Sequence, residues 1–297
     1  MSEKIKFVKI YKTDLILRST SSDELEEEKR LFAELHYNQN GNVILDIKYN
    51  PDGSYEQKLE YKYDDKSNLI EEIMYDDEDV VLERKTFEYD NNRLIKEFRH
   101  YMDESYDTVS YHYDDSGNLI KKVRVDFDGE PEEVETFDYS DDKLVKQVSV
   151  DEDGNIISEK SREYEGDNLI EEKEYDGMEG RSIRKEFEYE NNTRIATYLY
   201  NEDDILIEKF VYKENDKGQV TQIIEENLDG KHIIAFEHDD KGNVVSQLEF
   251  DNSGNVISDV KKEYDEGLIK KTVVSSERPV VGGTYDYTLD YEYELYD

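Results

Sequence analysis

The stretch "YHYDDSGNLIKKV", residues 111–123, decides how the rest of the chain is read. Two tyrosines flank a histidine, an acid pair follows, then Ser-Gly-Asn, then two apolar residues. Glycine takes a positive φ at little cost, and Asn and Asp take it more readily than most residues, so the centre of the stretch is a tight turn. The alternation of Tyr111 and Tyr113 with His112 is the period of a strand, and the apolar step after the turn starts the next one.

The same phrase returns along the chain. The place of Tyr113 is held by Tyr37, Tyr63, Tyr89, Tyr139, Tyr164 and Tyr189, then by Glu214 and His238, then by Tyr264, at steps of 24 to 26 residues. A second turn falls about half a period later, in "NPDGS", "DFDGE", "DEDGN", "NLDGK" and "DNSGN". Between turns, "LEYKYD" sets Leu59, Tyr61 and Tyr63 against Glu60 and Lys62, and "YDYTLDYEYEL" sets Tyr285, Tyr287, Leu289, Tyr291, Tyr293 and Leu295 on one side. The expected fold is all-β: an antiparallel β-hairpin repeat of about 25 residues with two strands per unit. About twenty strands then form a long twisted or coiled meander, with one Tyr/Phe/Val face and one charged face. A five-bladed β-propeller is the alternative.

The organisation expected is a single repeat domain over 1–297. It divides into a degenerate N-terminal cap (1–36), regular repeats (37–274), and a loop with a Tyr-rich C-terminal strand (275–297). "SSDELEEEKRLFAEL" (21–35) reads either as a helix opening at Ser21 or Ser22 or as a strand from about Leu31. Pro279 and the glycines of "SSERPVVGG" break the period before the last strand. The eight tyrosines Tyr37, Tyr63, Tyr89, Tyr113, Tyr139, Tyr164, Tyr189 and Tyr264 are expected to pack as the repeat core.

"YDDSGNLI" (113–120) resembles the YD repeat of the Rhs, teneurin and insecticidal-toxin-complex families, with "YNQNGNVI" and "HDDKGNVV" as looser copies. As a pattern the resemblance covers nearly the whole chain; as a close match it covers one unit. It implies a curled β meander that binds or encloses another molecule. The chain is far shorter than the shells of that family and lacks their proline–glycine–arginine processing motif. It is also similar, more weakly, to tyrosine- and glycine-rich antitoxin repeats, but has no Trp.

Composition narrows the function. With 38 Lys and Arg against 77 Asp and Glu, the net charge is −39. Such a surface repels nucleic acid and anionic lipid and attracts a basic protein. There is no Cys, hence no disulfide and no thiol chemistry. Lysines divide the N-terminal "MSEKIKFVKIYKTDLIL", and no run approaches a membrane span, so a cytoplasmic protein is expected.

Chemistry is sparse. Acid pairs sit at turns. "DEDGN" (151–155) begins like a calcium loop, but the sixth and twelfth places counted from Asp151 are Ile156 and Arg162, which do not fit one. His36, His100, His112, His232 and His238 show no metal-ligand spacing. No catalytic residue, metal or cofactor is expected. Tyr285, Tyr287, Tyr291 and Tyr293 are the candidate partner-binding residues, because an edge strand there would offer unpaired backbone to a partner or to another copy. The function expected is that of a non-enzymatic protein binding or enclosing a basic protein, as an immunity protein, antitoxin or toxin chaperone does. A carbohydrate-binding module and a purely structural shell or spacer are the alternatives.

Overall fold

The structure, a computed structural model, describes residues 4–17, 25–277 and 284–296. It divides into two units, one of Met1–Arg84 with Ile234–Asp297 and the other of Lys85–Ile233. In chain order the first unit starts with β1 (Ile5–Leu17), β2 (Leu25–Tyr37), β3 (Val43–Tyr49), β4 (Tyr55–Tyr63) and β5 (Leu69–Tyr75). The unit boundary falls within β6 (Val81–Asp90). The second unit holds β7 (Arg93–His100), β8 (Tyr106–Tyr113), β9 (Leu119–Val125), β10 (Pro131–Ser140), β11 (Lys143–Asp151) and β12 (Ile156–Glu165). It continues with β13 (Asn168–Asp176), β14 (Arg181–Glu190), β15 (Thr193–Tyr200), β16 (Leu206–Glu214) and β17 (Val220–Asn227). The other boundary falls within β18 (Gly230–His238), and the chain returns to the first unit with β19 (Val244–Phe250), β20 (Val256–Asp265), β21 (Leu268–Glu277) and β22 (Thr284–Leu295).

The repeated phrase works residue by residue. At 114–118 the Gly117 N–H donates to the Asp114 carbonyl (3.0 Å) and the Asp114 N–H to the Asn118 carbonyl (2.9 Å). Gly117 has φ +95°, so the loop is a turn closed by one left-handed residue. The Asp114 carboxylate accepts the Asn118 N–H at 2.8 Å, holding the loop from within. Asp64, Asp151, Asp239 and Asp251 accept the matching N–H in their own loops at 2.8–2.9 Å. The tyrosine before the acid acts across strands: the Tyr139 hydroxyl donates to the Leu119 carbonyl (3.0 Å) and Tyr113 to Leu94 (2.8 Å). Tyr63, Tyr164 and Tyr264 bond Val43, Leu144 and Val244 in the same way, each reaching a carbonyl 20 residues back. Each such tyrosine ties the end of its strand to the start of an earlier one.

Tyr139→Phe is therefore expected to cost about 1 kcal/mol, because the Leu119 carbonyl loses its partner. Urea unfolding of the single variant and of the Tyr63/Tyr113/Tyr139 triple Phe variant measures this. A triple variant with an unchanged midpoint would show that water takes the place of the hydroxyls.

The open or coiled meander is not what forms, nor is a five-bladed propeller. All 22 strands belong to one sheet, and β1 pairs antiparallel with both β2 and β22. The sheet is closed, a 22-stranded antiparallel β-barrel, so an open array of independent hairpins does not describe it. Closure removes the two edges that an open sheet would otherwise leave at its first and last strands. The seam is long: β1 meets β22 from Ile5↔Leu295 to Asp14↔Tyr287. The Tyr296 N–H donates to the Lys4 carbonyl (2.8 Å) and its hydroxyl to the Tyr37 carbonyl (2.6 Å). Residues 25–37 are one 13-residue strand, β2, rather than a strand from Leu31. A helix opening at Ser21 or Ser22, and the Pro279 break, lie outside the described residues.

The division into an aromatic and a charged face also fails. In the first unit Tyr61 and Tyr63 lie on one side of β4, while Tyr55 pairs with Tyr49 past a bulge and shares the other side with Lys58. The Lys58 ammonium sits over the rings of Tyr55 (5.3 Å) and Tyr75 (4.9 Å). In the second unit Lys160 and Glu174 bridge on one face at 3.0 Å, and Lys173 and Glu171 on the other at 2.6 Å. Among the described residues the buried apolar set is only Val8, Ile47, Ala196 and Ile224. The accessible surface is 19293 Å², against roughly 13,000 Å² for an ordinary globular protein of this mass. Stability thus comes from neighbouring strands, their ion pairs and their tyrosine bonds rather than from a deep core.

The cytoplasmic expectation rested on the lack of an apolar helix-length run. No helix among the described residues is long and apolar enough to cross a membrane. That observation has no bearing on a closed barrel, because barrels are the other architecture able to span a bilayer. The cytoplasmic assignment weighed apolar runs alone and falls now that the sheet is a closed barrel.

Candidate functional site

Strands β12 to β15 place a row of polar side chains on one face of the second unit. Their registers set Ser161 beside Lys173, Lys173 beside Arg184, and Arg184 beside Tyr200. Glu159, Tyr175 and Ser182 form the adjoining row. With Asn201, Glu202 and Asp204 from the β15–β16 loop, all of these except Tyr200 line a cavity of ≈ 700 Å³.

Arg184 is its centre. The guanidinium carbon lies 4.0 Å from the Tyr200 ring centroid, a stacked cation–π contact. Its nitrogens donate to Asp204 Oδ1 (2.5 and 3.0 Å), to Glu171 Oε2 (3.4 Å) and to Glu186. Burial opposes the charge, but the bonds to Asp204 and Glu186 outweigh it and hold the group even more firmly protonated than usual. The Tyr200 hydroxyl donates to Glu186 (3.0 Å), and burial followed by that bond raises its pKa. Tyr198 is pushed up to about 12 by its bond to Glu188, with burial second. Both phenols keep their protons at neutral pH and act as donors.

The lining holds five carboxylates, Glu159, Glu171, Glu174, Glu202 and Asp204, against two cations, Lys173 and Arg184. Both cations are already committed to carboxylates. Glu159 and Glu174 are in turn bridged to Lys146 (2.9 Å) and Lys160 (3.0 Å), so the negative surplus rests on Glu202, which suits one incoming ammonium or guanidinium group. A smaller hollow of ≈ 130 Å³ opens on the opposite face, lined by Glu97, Val109, Tyr111, Lys122, Arg124, Glu133 and Glu135. There the charges are internally matched, Lys122 to Glu135 at 2.8 Å and Arg124 to Glu133 at 3.5 Å. Among the described residues no three His, Asp or Glu side chains are grouped to hold a metal.

The C-terminal tyrosines are not at an edge. β22 pairs with β21 on one side and β1 on the other, so neither added-strand binding nor edge-to-edge self-association has unpaired backbone to use there. Tyr287 lies opposite Asp14 with its ring 4.6 Å from the Lys12 ammonium, Tyr291 opposite Ile10, and the Tyr293 hydroxyl bonds the Ile269 carbonyl at 2.8 Å. Tyr285 pairs with Ser276, and its side chain lies outside the described residues. Of the eight repeat tyrosines, Tyr63, Tyr113, Tyr139, Tyr164 and Tyr264 make the strand-to-strand bonds, and the Tyr37 carbonyl receives Tyr296. Tyr89 and Tyr189 occupy equivalent half-buried places. None of these lines the Arg184 cavity. Arg184, Tyr200 and Asp204 carry no motif; only the cross-strand register brings them together.

The turn acids make the protein acid-sensitive. Bonds from Asn155, its side chain first and then its N–H, hold the Asp151 carboxyl below its ordinary 3.8. Asp64, Asp239 and Asp251 are lowered in the same way, and Asp114 chiefly by the Asn118 N–H. A depressed folded pKa means stability that is complete above the unfolded value and lost as pH falls through the folded one. The expected result is a drop in unfolding midpoint that begins below about pH 4 and is shallower in an Asp114/Asp151/Asp251→Asn variant. Asn already fills this place at Asn38 and Asn215, so the variant keeps its turns. Parallel acid profiles for the two proteins would refute the assignment.

No protein-family model matches the chain, and no curated protein does. Among solved structures, a porin-like protein from Bacteroides uniformis aligns over 98% of this chain and 96% of its own at 13% identity, with a TM-score of 0.32. A porin-like protein from Bacteroides vulgatus covers 99% of each chain at 12% identity and a TM-score of 0.27. The TcdB2–TccC3 structure matches over 90% of this chain but only 17% of its own, at 15% identity and a TM-score of 0.31.

Proposed function

We propose that this chain is a non-enzymatic binding protein whose partner is a basic protein, in the manner of an immunity protein or a chaperone for a basic toxin. The observation that carries the reading is the Arg184 cavity, where five carboxylates surround two cations that are already neutralised. A lysine or arginine side chain entering it meets Glu202 first and shares carboxylates already bridged to Lys146, Lys160, Lys173 and Arg184. The net charge of −39 adds long-range attraction for such a partner. Strands β12 and β13 carry ion pairs on both faces, which favours a partner met in water at this part of the sheet. Sugar binding has less support, because hydroxyls of the regularly placed tyrosines are spent on backbone carbonyls.

The test is binding of a lysine-rich peptide by calorimetry. Affinity is expected to fall about tenfold or more between roughly 50 and 300 mM salt, and to fall again in a Glu159/Glu174/Glu202→Gln variant. Equal binding at both salt concentrations, or no binding at the lower one, overturns the reading.

A further inference from the structure

The two ends of the strands in the second unit differ in chemistry. At one end the loops joining β8–β9, β10–β11, β12–β13, β14–β15 and β16–β17 read DDSGN, DD, GD, NN and NDKGQ, with no apolar residue. At the other end the loops read YMDES, DFDGE, EDGN, GMEG, NEDDI and LD. Five of these six carry a large apolar side chain held out in solvent: Met102 is 94% exposed, Met178 87%, Leu228 86%, Phe127 62% and Ile205 56%. None of the six contains a lysine or arginine, and each contains at least one carboxylate.

A large apolar side chain in solvent is unremarkable singly; a row of them at one end of a sheet marks a contact surface. The antiparallel registers from β7 through β17 put successive loops of this end two strands apart, roughly 10 Å. Acid and apolar groups therefore share one line, broken only at the β11–β12 loop, which has no apolar residue. The Arg184 cavity opens on the same line, since Asn201, Glu202 and Asp204 belong to its β15–β16 loop.

We infer that this end of the second unit is a docking surface for a basic protein segment carrying apolar side chains about 10 Å apart. The inference rests on the basic-partner reading above and adds the apolar component and the place. Charge selects the occupant: an all-acidic set of loops favours lysine- and arginine-bearing segments and opposes anionic lipid or a second copy of this acidic chain. The apolar side chains then add affinity that salt does not screen.

The test uses the full chain and two synthetic peptides of equal charge, one alternating Lys with Leu and one alternating Lys with Ser. A Met102→Ser/Met178→Ser/Leu228→Ser variant changes only exposed loop positions, and its circular dichroism and melting temperature check that the fold is kept. The Lys–Leu peptide is expected to bind wild type at least about tenfold tighter than Lys–Ser, and the variant to lose that margin while keeping its Lys–Ser affinity. If Lys–Ser binds but leucine brings no gain, or the variant keeps the gain, the docking surface is refuted and the basic-partner reading stands. If neither peptide binds at low salt, the basic-partner reading fails and takes this inference with it. Capture on phosphatidylcholine vesicles that the variant abolishes, or a wild-type dimer that the variant disperses in sedimentation, assigns the surface to lipid or to a second copy and overturns the inference.

Discussion

A Gly177→Ala variant is expected to lose roughly 3 kcal/mol or more of stability, with a melting temperature lower by about 6 °C or more. Gly177 is not among the glycines with positive φ, so its need is for space. A Cβ there would stand 1.7 Å from the Ile156 carbonyl oxygen and 2.7 Å from its carbon. Both are backbone atoms at the start of β12, with no rotamer to move into. The Gly177 N–H also donates to the Ile157 carbonyl at 2.8 Å, so separating the strands breaks that bond as well. The displaced element would be the β13–β14 hairpin, which carries Tyr175 and Arg184, and peptide binding should weaken in parallel. Gly180→Ala is the control: its φ is +66° and a Cβ there meets nothing within 4 Å, so only the backbone cost of about 1 kcal/mol applies. Thermal melts of the two variants separate the mechanisms, and equal losses would mean that close approach at Ile156 is not what matters.

The second large effect lies at the seam. Lys12 is only 7% exposed, with its ammonium 2.7 Å from Asp14 Oδ1 and 4.6 Å from the Tyr287 ring centroid. Arg30 Nε stands 3.8 Å from the other Asp14 oxygen. Lys12→Ala strips a nearly buried carboxylate of its nearest cation, a change that costs on the order of 3–5 kcal/mol where a pair is buried. The Lys12→Met/Asp14→Leu double variant removes both charges and should cost clearly less than the single one, since the carboxylate is gone and Arg30 keeps its bond to the Tyr49 carbonyl. Chemical unfolding of both proteins decides the matter. A single variant within about 1 kcal/mol of wild type would show that water reaches Asp14 and solvates it.

Turns were the legible part of the sequence. Gly117, Gly154 and Gly242 stand where a left-handed residue closes a loop, and the acid ahead of each by three residues clasps it from inside. Local chemistry alone dictates that arrangement. Closure was not legible, because it depends on how twist accumulates over 22 strands, and no single strand records the sum. The one trace was length: β1, β2 and β22 run 13, 13 and 12 residues, against 7 to 10 in the rest. The mixed faces were hidden by bulges. One extra residue beside Tyr55 moves its ring to the side opposite Tyr61, which strict alternation from Tyr63 backwards does not foresee. The Arg184 cavity had no sequence signal, since Glu171, Arg184 and Asp204 come from two strands and a loop and meet only through register.

The pairing of β1 with β22 bears on how the molecule comes apart. A linear stack of repeats frays, shedding its outermost member by breaking one interface while the rest stay folded. Here a departing hairpin has a neighbour on each side, so its release ruptures two ladders at once. Melting should accordingly be steeper than in a linear array of equal strand number, and amides near Lys9 and Tyr291 should exchange with solvent as slowly as those in mid-chain strands.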